Sequence, residues 1–215
     1  MANLTAIDIL INPDEAMLDQ AKAWNKRLLE SIPSPPGFEL DKHHTPHITT
    51  LHRYVVTSDL DKVFAAVQGV LSEFDVAGLK FTGARILHME ESALPGVGLA
   101  AIQCQPSPEV LDYQAKLIAA LKPYTASGGA AEAFLRTKAE PDINQDTLYY
   151  VEHYVPEHSG KNFIAHVTIG LAKLEDLEKI ESEPFESFTF SPAGVSVYQL
   201  GNNGTAAKHL KRLNV

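Results

Sequence analysis

The 215-residue sequence contains one cysteine, no long apolar run and no extended run of basic residues. The lone cysteine, Cys104, excludes an internal disulfide framework and is typical of a protein kept in a reducing compartment. No apolar stretch reaches the roughly 18 residues that a membrane-spanning helix needs. The first residues also lack the basic and apolar segments of a secretory signal. We therefore expect a cytoplasmic protein without a membrane partner.

Positive charge is also scarce in this chain. Lys and Arg number 18 against 27 Asp and Glu, which gives a formal net charge of −9. Proteins that wrap long nucleic acids carry a basic face, because phosphate neutralisation supplies much of their affinity. Here basic residues gather only near the C-terminus, at Lys208, Lys211 and Arg212. The composition argues against DNA or long RNA as a partner and is compatible with a small phosphorylated molecule or an RNA end.

The sequence does contain a repeated order of elements. Alternating Ile7, Ile9 and Ile11 predict a half-buried strand, and Asp14 can cap the amphipathic helix that follows. The stretch around Cys104 repeats this order, with a strand, a Pro-Ser-Pro break and a second amphipathic helix. Each helix is followed by a strand that contains His-x-Thr, then by a helix near an Asp-Leu pair and by further strand-like residues. This order indicates an internal duplication.

We interpret the whole chain, residues 1–215, as a single bilobal domain. Its approximate halves are residues 1–95 and 96–215. The second half is longer by roughly 25 residues between its first helix and its His-x-Thr strand. This difference predicts an insertion at about 125–161, which forms either a lid or wall near a site or a surface hairpin without a role.

The two His-x-Thr motifs are His47-Ile48-Thr49 and His166-Val167-Thr168. Residues i and i+2 of a strand face the same way, so each imidazole lies beside its hydroxyl. If a pseudo-twofold axis brings the motifs together, one neutral imidazole can take a proton and the other, protonated, can donate one. The hydroxyls can stabilise negative charge on phosphoryl oxygens without a metal. This set of groups suits attack on a phosphodiester.

The paired motifs in duplicated halves resemble the two-histidine (2H) phosphoesterase superfamily, which includes 2′-5′ RNA ligase-like proteins and cyclic phosphodiesterases. The resemblance implies an α+β bilobal fold in which two antiparallel sheets line a central cleft and helices pack outside. It implies metal-independent and cofactor-independent cleavage of 2′,3′-cyclic phosphates, with His47, Thr49, His166 and Thr168 as the catalytic set. Ala165 departs from the pattern, because relatives often have proline before the second histidine.

Four further residues are candidates for substrate binding, each with a structural alternative. Arg53 lies six positions after His47, so an unbroken strand would place it on the same face, where it could pair with a phosphate. Tyr150 and Tyr154 in the insertion could stack on a base, or could pack the insertion onto the body. Tyr198, in the final strand-like segment, could line the cleft or belong to the core.

A metal site is the weaker reading of the histidines near the first motif. His43, His44, His47 and His52 form a cluster in sequence. No acidic or cysteine partner is spaced to complete a coordination shell, and we expect His52 to face away from His47 on a regular strand. We therefore predict no metal.

The hypothesis is a monomeric phosphoesterase that acts on a small cyclic nucleotide or an RNA terminus, in keeping with a role in RNA processing. The alternatives are a 2′-5′ RNA ligase-like activity and a module that binds nucleotides or RNA ends without turnover. The sequence leaves open the base preference, the ester bond that breaks, and which histidine is the acid.

Overall fold

The structure is a computed structural model that describes residues 3–41, 44–90, 94–138 and 141–213. The described residues form five α-helices and eight strands. The helices are α1 Glu15–Ser31, α2 Leu60–Ser72, α3 Pro108–Leu121, α4 Gln145–His158 and α5 Leu174–Ser182. The strands are β1 Leu4–Pro13, β2 Ile48–Val56, β3 Phe81–Glu90, β4 Val97–Pro106, β5 His166–Lys173, β6 Phe188–Phe190, β7 Pro192–Leu200 and β8 Ala206–Leu213.

The first strand–helix unit forms as the sequence pattern predicts. Ile7, Ile9 and Ile11 are fully buried on one face of β1. Asp14 occupies the N-cap of α1, where its side chain accepts a hydrogen bond from the backbone N–H of Met17 at 3.4 Å. The repeated unit forms β4 and α3, so both strand–helix units of the duplication exist in the fold.

The eight strands make two antiparallel four-stranded sheets. Sheet A has the order β2-β1-β7-β8, and sheet B has the order β5-β4-β3-β6. Neither sheet is built from one half of the sequence, because β3 joins the sheet of β4 and β5 while β7 and β8 join the sheet of β1 and β2. The α+β architecture with two antiparallel sheets is therefore confirmed, and the two lobes exchange their closing strands.

One apolar core connects the sheets to the helices. The buried side chains of β1 and β2 share a cluster with those of β4 and β5 and with apolar residues of α1, α2 and α3. Cys104 is buried in this core, and burial raises the pKa of its thiol to about 12. The thiol is therefore an inert group of the core. None of the helices in the described ranges has the length and hydropathy of a membrane-spanning segment.

Both motif strands carry a β-bulge directly after the threonine. On β2 the register shifts between Thr49 and Leu51, so Thr50 is the extra residue. On β5 the register shifts between Thr168 and Gly170, so Ile169 is the extra residue. A bulge reverses the alternation of side chains beyond it. The duplication therefore preserves a local irregularity as well as the motif itself.

The segment in which the sequence analysis predicts an insertion contains helix α4, which packs on sheet A, and α4 is not part of a hairpin. Helix α4 contacts β2 and the turn formed by residues 202–204. A second apolar cluster lies beneath it, formed by Tyr54, Phe134, Val151 and Leu200 with smaller neighbours. The insertion thus covers the end of sheet A beyond the first motif.

Candidate active site

The two motif histidines are held in the same way. His47 pairs its Nδ1 with the backbone carbonyl of Thr45 at 2.7 Å, and His166 pairs its Nδ1 with the carbonyl of Ile164 at 2.9 Å. A carbonyl only accepts hydrogen bonds, so Nδ1 carries the hydrogen and donates it. Each ring therefore has its Nε2 left for chemistry.

The structure brings the two motifs together. Strands β2 and β5 come from different sheets and contact each other. The pKa of His166 is lowered chiefly by burial; the bond to the Ile164 carbonyl opposes this shift, the charges of His47 and His52 add to it, and the charge of Asp8 opposes it. We call His47, Thr49, His166 and Thr168 the paired-motif site.

An acidic residue that sequence analysis did not single out lies beside the first motif. Asp8 on β1 is fully buried, and its Oδ2 accepts a hydrogen bond from the hydroxyl of Thr49 at 3.1 Å. The same oxygen lies 3.7 Å from Nε2 of His47 and 3.5 Å from Nε2 of His52. The available signal was a single acid inside the otherwise apolar run A-I-D-I-L-I.

The bulge at Thr50 corrects two expectations about side-chain direction. His52 lies on the same side of β2 as Thr49, since both approach Asp8, and does not face away from His47. Arg53, expected on the face of His47, pairs instead with Ile7 and lines a small recess that includes Glu152. The strand is not unbroken between residues 47 and 53, so the six-residue spacing does not keep Arg53 in phase with the motif.

The candidate tyrosines surround His52 and Asp8. Tyr154 is 2% exposed, and its ring packs on His52 at a centroid distance of 5.0 Å. Because it is buried, its ring is not open for stacking on a base, and it packs the insertion onto the body. Tyr150 is partly buried and meets His52 edge-on at 5.3 Å. Tyr198 is partly buried, pairs with Asp8 across sheet A and contacts His209 with its ring.

Two buried amides hold the bulges in place, one for each motif. Gln114 of α3 donates its side-chain N–H to the carbonyl of Thr50 at 3.0 Å and accepts from the N–H of Gly160 at 2.9 Å. Asn25 of α1 donates to the carbonyl of Ile169 at 2.8 Å and also accepts from the backbone N–H of Leu40 at 3.2 Å. Each amide thus joins the bulge of one motif strand to the segment that leads into the other.

The sheet B side of the site is less polar than the sheet A side. Gln103 pairs with His166 and accepts a hydrogen bond from Arg85 at 2.6 Å. Further along the strands, Leu99 pairs with Leu171. Leu171 lies five residues after its motif histidine, as His52 does, so Leu99 occupies the position that corresponds to Asp8. The two halves of the site therefore share the His-x-Thr motif, but at this position sheet A has the acidic residue Asp8 where sheet B has Leu99.

Among the residues that the structure describes, no group of three or more His, Cys, Asp or Glu side chains is arranged to hold a metal ion. His43 lies outside the described ranges. His44 pairs with Asp41 at 3.7 Å and stacks on Phe38. His44 therefore contacts residues of its own loop, whereas His47 and His52 approach the Asp8 carboxylate.

The fold is similar to that of several solved structures. Usb1 from Kluyveromyces marxianus, solved with uridine monophosphate, has a TM-score of 0.52 at 9% identity, and the alignment covers 99% of both chains. LigT from E. coli has a TM-score of 0.45 at 12% identity over 98% of this chain and 97% of its own. LigT with 3′-AMP has a TM-score of 0.46 at 13% identity over 99% of both chains.

The sequence itself matches no family model and no curated protein. The likeness to known proteins is therefore one of fold alone, which this chain shares with the Usb1 structure over 99% of both chains.

Proposed function

We propose that this protein is a metal-independent 2H phosphoesterase that hydrolyses 2′,3′-cyclic phosphates of nucleotides or RNA ends. The observation that carries the proposal is the matched setting of the two histidines. Each donates Nδ1–H to a carbonyl two residues before it, which leaves Nε2 for chemistry, and each precedes a threonine by two residues. Two equivalent imidazoles on contacting strands form an acid–base pair for a single phosphorus.

The chemistry follows from those groups. One neutral imidazole accepts a proton from the attacking water as the water oxygen forms its bond to phosphorus. The other imidazole, protonated, donates its proton to the ribosyl oxygen as the bond between phosphorus and that oxygen breaks. The hydroxyl hydrogen of Thr168 stabilises the charge that develops on a non-bridging oxygen, whereas that of Thr49 is donated to Asp8. A monophosphate is the product, and no oxidant or cofactor enters the balance.

The charge of the chain and the fold likeness both support a small substrate or an RNA end. The net charge is −9, which disfavours an extended contact with phosphate backbone. The Usb1 structure that shares this fold was solved with uridine monophosphate. A nucleoside cyclic phosphate, free or at the end of an RNA, fits both observations.

The experiment is hydrolysis of the four nucleoside 2′,3′-cyclic monophosphates with EDTA present, for the unaltered protein, His47→Ala and His166→Ala. We expect turnover in EDTA and a loss of about 10²–10⁴-fold in kcat for either substitution, as for removal of a general acid or base. Turnover that survives both substitutions contradicts the assignment of the site. Binding of the nucleotides by the unaltered protein without turnover favours the binding module instead.

The same samples test the ligase alternative. RNA halves with a 2′,3′-cyclic phosphate on one and a 5′-hydroxyl on the other are incubated with the protein and separated on a denaturing gel. Hydrolysis converts the cyclic end to a monophosphate and leaves the halves unjoined. A joined product that resists a 3′-5′-specific nuclease contradicts the hydrolase proposal.

A further inference from the structure

Arg212 is a cation on the same face of sheet A as the paired-motif site. Residues that pair directly across an antiparallel sheet have their side chains on one face. Thr49 pairs with Leu10, and Leu10 pairs in turn with Ser196. Ser196 pairs with Arg212. This row crosses all four strands of sheet A, from the first motif on β2 to the edge strand β8, so the side chain of Arg212 lies on the face of the site.

The guanidinium of Arg212 extends from the edge strand back over β7. A Cβ added at Gly194 would lie 3.5 Å from Nη2 of Arg212, so the absence of a side chain at Gly194 lets the guanidinium lie over the backbone there. Gly194 pairs with Asn12, which is one residue beyond the β1 partner of Ile48. Two strand spacings, roughly 10 Å, therefore separate Gly194 from the end of β2 that begins beside His47.

The positive charge of Arg212 is exposed and is not neutralised by a neighbouring acid. Among the described residues, the ion pairs are formed by other cations than Arg212. Burial raises the pKa of Tyr198, whereas the charge of Arg212 lowers it, so this charge acts on the same face of the sheet. The planar fork of N–H groups on an exposed arginine is therefore available to an anionic ligand, and phosphate is the anion that it fits best.

Two rings lie beside Arg212 on the same face. Tyr198 pairs with Asp8 on one side and with His209 on the other, and the rings of Tyr198 and His209 meet edge-on at 5.1 Å. His209 is exposed, and Tyr198 is partly buried. Proteins hold the phosphates and bases of a single nucleic-acid strand with cations and rings placed side by side. This part of the face therefore suits a nucleotide unit.

We propose that Arg212 forms a second phosphate subsite, which binds the phosphate next to the reacting one, so that the substrate is the end of an oligonucleotide and not a free mononucleotide. The inference rests on the proposed function and names the substrate class of the same site. A nucleoside 2′,3′-cyclic phosphate has only the reacting phosphate, whereas a dinucleotide with the same end has a second phosphate one nucleotide away. One added phosphate contact does not need the basic face of a protein that wraps long nucleic acids, so it agrees with the net charge of −9.

The neighbouring residue on β8 supplies the matched control. Lys211 pairs with Val197, which is buried in the core, so Lys211 lies on the opposite face of the strand. Arg212→Gln and Lys211→Gln each remove one positive charge from an exposed position of the same strand. A difference between the two variants therefore reports the face of the sheet and not the net charge of the protein.

The assay measures kcat/KM for adenosine 2′,3′-cyclic monophosphate and for the adenosine dinucleotide with the same cyclic end. We expect Arg212→Gln to lower kcat/KM for the dinucleotide about tenfold or more, chiefly through KM, as for the loss of one charge-assisted contact. Arg212→Lys should recover part of this loss, because it keeps the charge without the fork. The mononucleotide with Arg212→Gln, and both substrates with Lys211→Gln, should change by less than about threefold. Equal losses for the two substrates, or equal effects of Arg212→Gln and Lys211→Gln on the dinucleotide, overturn the proposal.

A binding measurement separates failure of the subsite from failure of the proposed function. Fluorescence anisotropy with a labelled adenosine dinucleotide 3′-phosphate needs no turnover. We expect Kd to rise about tenfold for Arg212→Gln and to stay within about threefold for Lys211→Gln. If this difference is found but no cyclic phosphate is hydrolysed, the proposed function fails and the subsite stands. If cyclic phosphates are hydrolysed while Arg212→Gln binds the dinucleotide as tightly as the unaltered protein does, the subsite is refuted.

Discussion

The amide of Gln114 gives the sharpest prediction about how the site is held. Its N–H donates to the carbonyl of the bulged Thr50, its oxygen accepts from Gly160, and its side chain is 1% exposed. Gln114→Met keeps the length of the side chain and removes both hydrogen bonds. A buried carbonyl on the first motif strand and an N–H just ahead of the second motif strand then lose their partner.

The size of the effect follows mainly from the Thr50 carbonyl, because Gly160 is exposed and its N–H can bond to water. A buried polar group left without a partner costs about 1–3 kcal/mol, so the substitution should lower the free energy of unfolding by about that amount. A domain of this size is stable by about 5–15 kcal/mol, so the variant should still fold. At about 2–4 °C per kcal/mol, Tm should fall by at least about 2 °C.

Urea unfolding followed by circular dichroism measures the change, with Gln105→Met as the matched control. Gln105 is exposed on β4, so its substitution should alter stability by less than about 0.5 kcal/mol. The Gln114→Met variant should also have a lower kcat at temperatures where it is fully folded, because the bulge fixes the direction of the motif side chains. Equal stability of the two glutamine variants refutes the reasoning about the bulge.

Three other predictions concern stability. Gly129→Ala should destabilise the protein by about 1–3 kcal/mol, because an added Cβ would overlap the buried ring of Tyr54; an unchanged urea midpoint would contradict the packing of the insertion. Gly69→Ala should stabilise by about 0.5–1 kcal/mol in the same assay, since Gly69 lies inside α2 with nothing within 4 Å of an added Cβ. The lowered pKa of His166 means that the unfolded chain binds a proton that the folded protein does not, between the lowered value and about 6.5. The free energy of unfolding should therefore fall as the pH is lowered through that window, and His166→Gln should fall less; identical slopes would contradict the burial of His166.

Much of the fold is readable from the sequence because it depends on local patterns. The alternation at Ile7, Ile9 and Ile11 and the cap at Asp14 each act within a few residues, and both are found in the structure. The duplication follows from the order of such local patterns. The exchange of β3 and β7 between the sheets depends on long-range pairing, which no local pattern encodes.

The site, like the fold, can be predicted from the sequence only where it depends on local patterns. The spacing within each His-x-Thr motif fixes the histidine and its threonine on one face, but the face of later residues depends on the bulge. Nothing in the sequence marks Thr50 as a bulge, so alternation alone predicts the wrong side of β2 for both His52 and Arg53. The sequence does not mark Asp8 as a site residue, because an acid in an alternating strand usually faces solvent, and only its neighbours on β2 show that it does not.

The central claim is that His47 and His166 act together on one phosphorus. The most direct measurement is kcat for a 2′,3′-cyclic monophosphate with His47→Ala, His166→Ala and the double variant. When two groups act in the same step, removing the second costs little once the first is gone. We therefore predict that kcat of the double variant lies within about threefold of kcat of the slower single variant. Losses that multiply in the double variant would mean that the two histidines act independently and would contradict the claim.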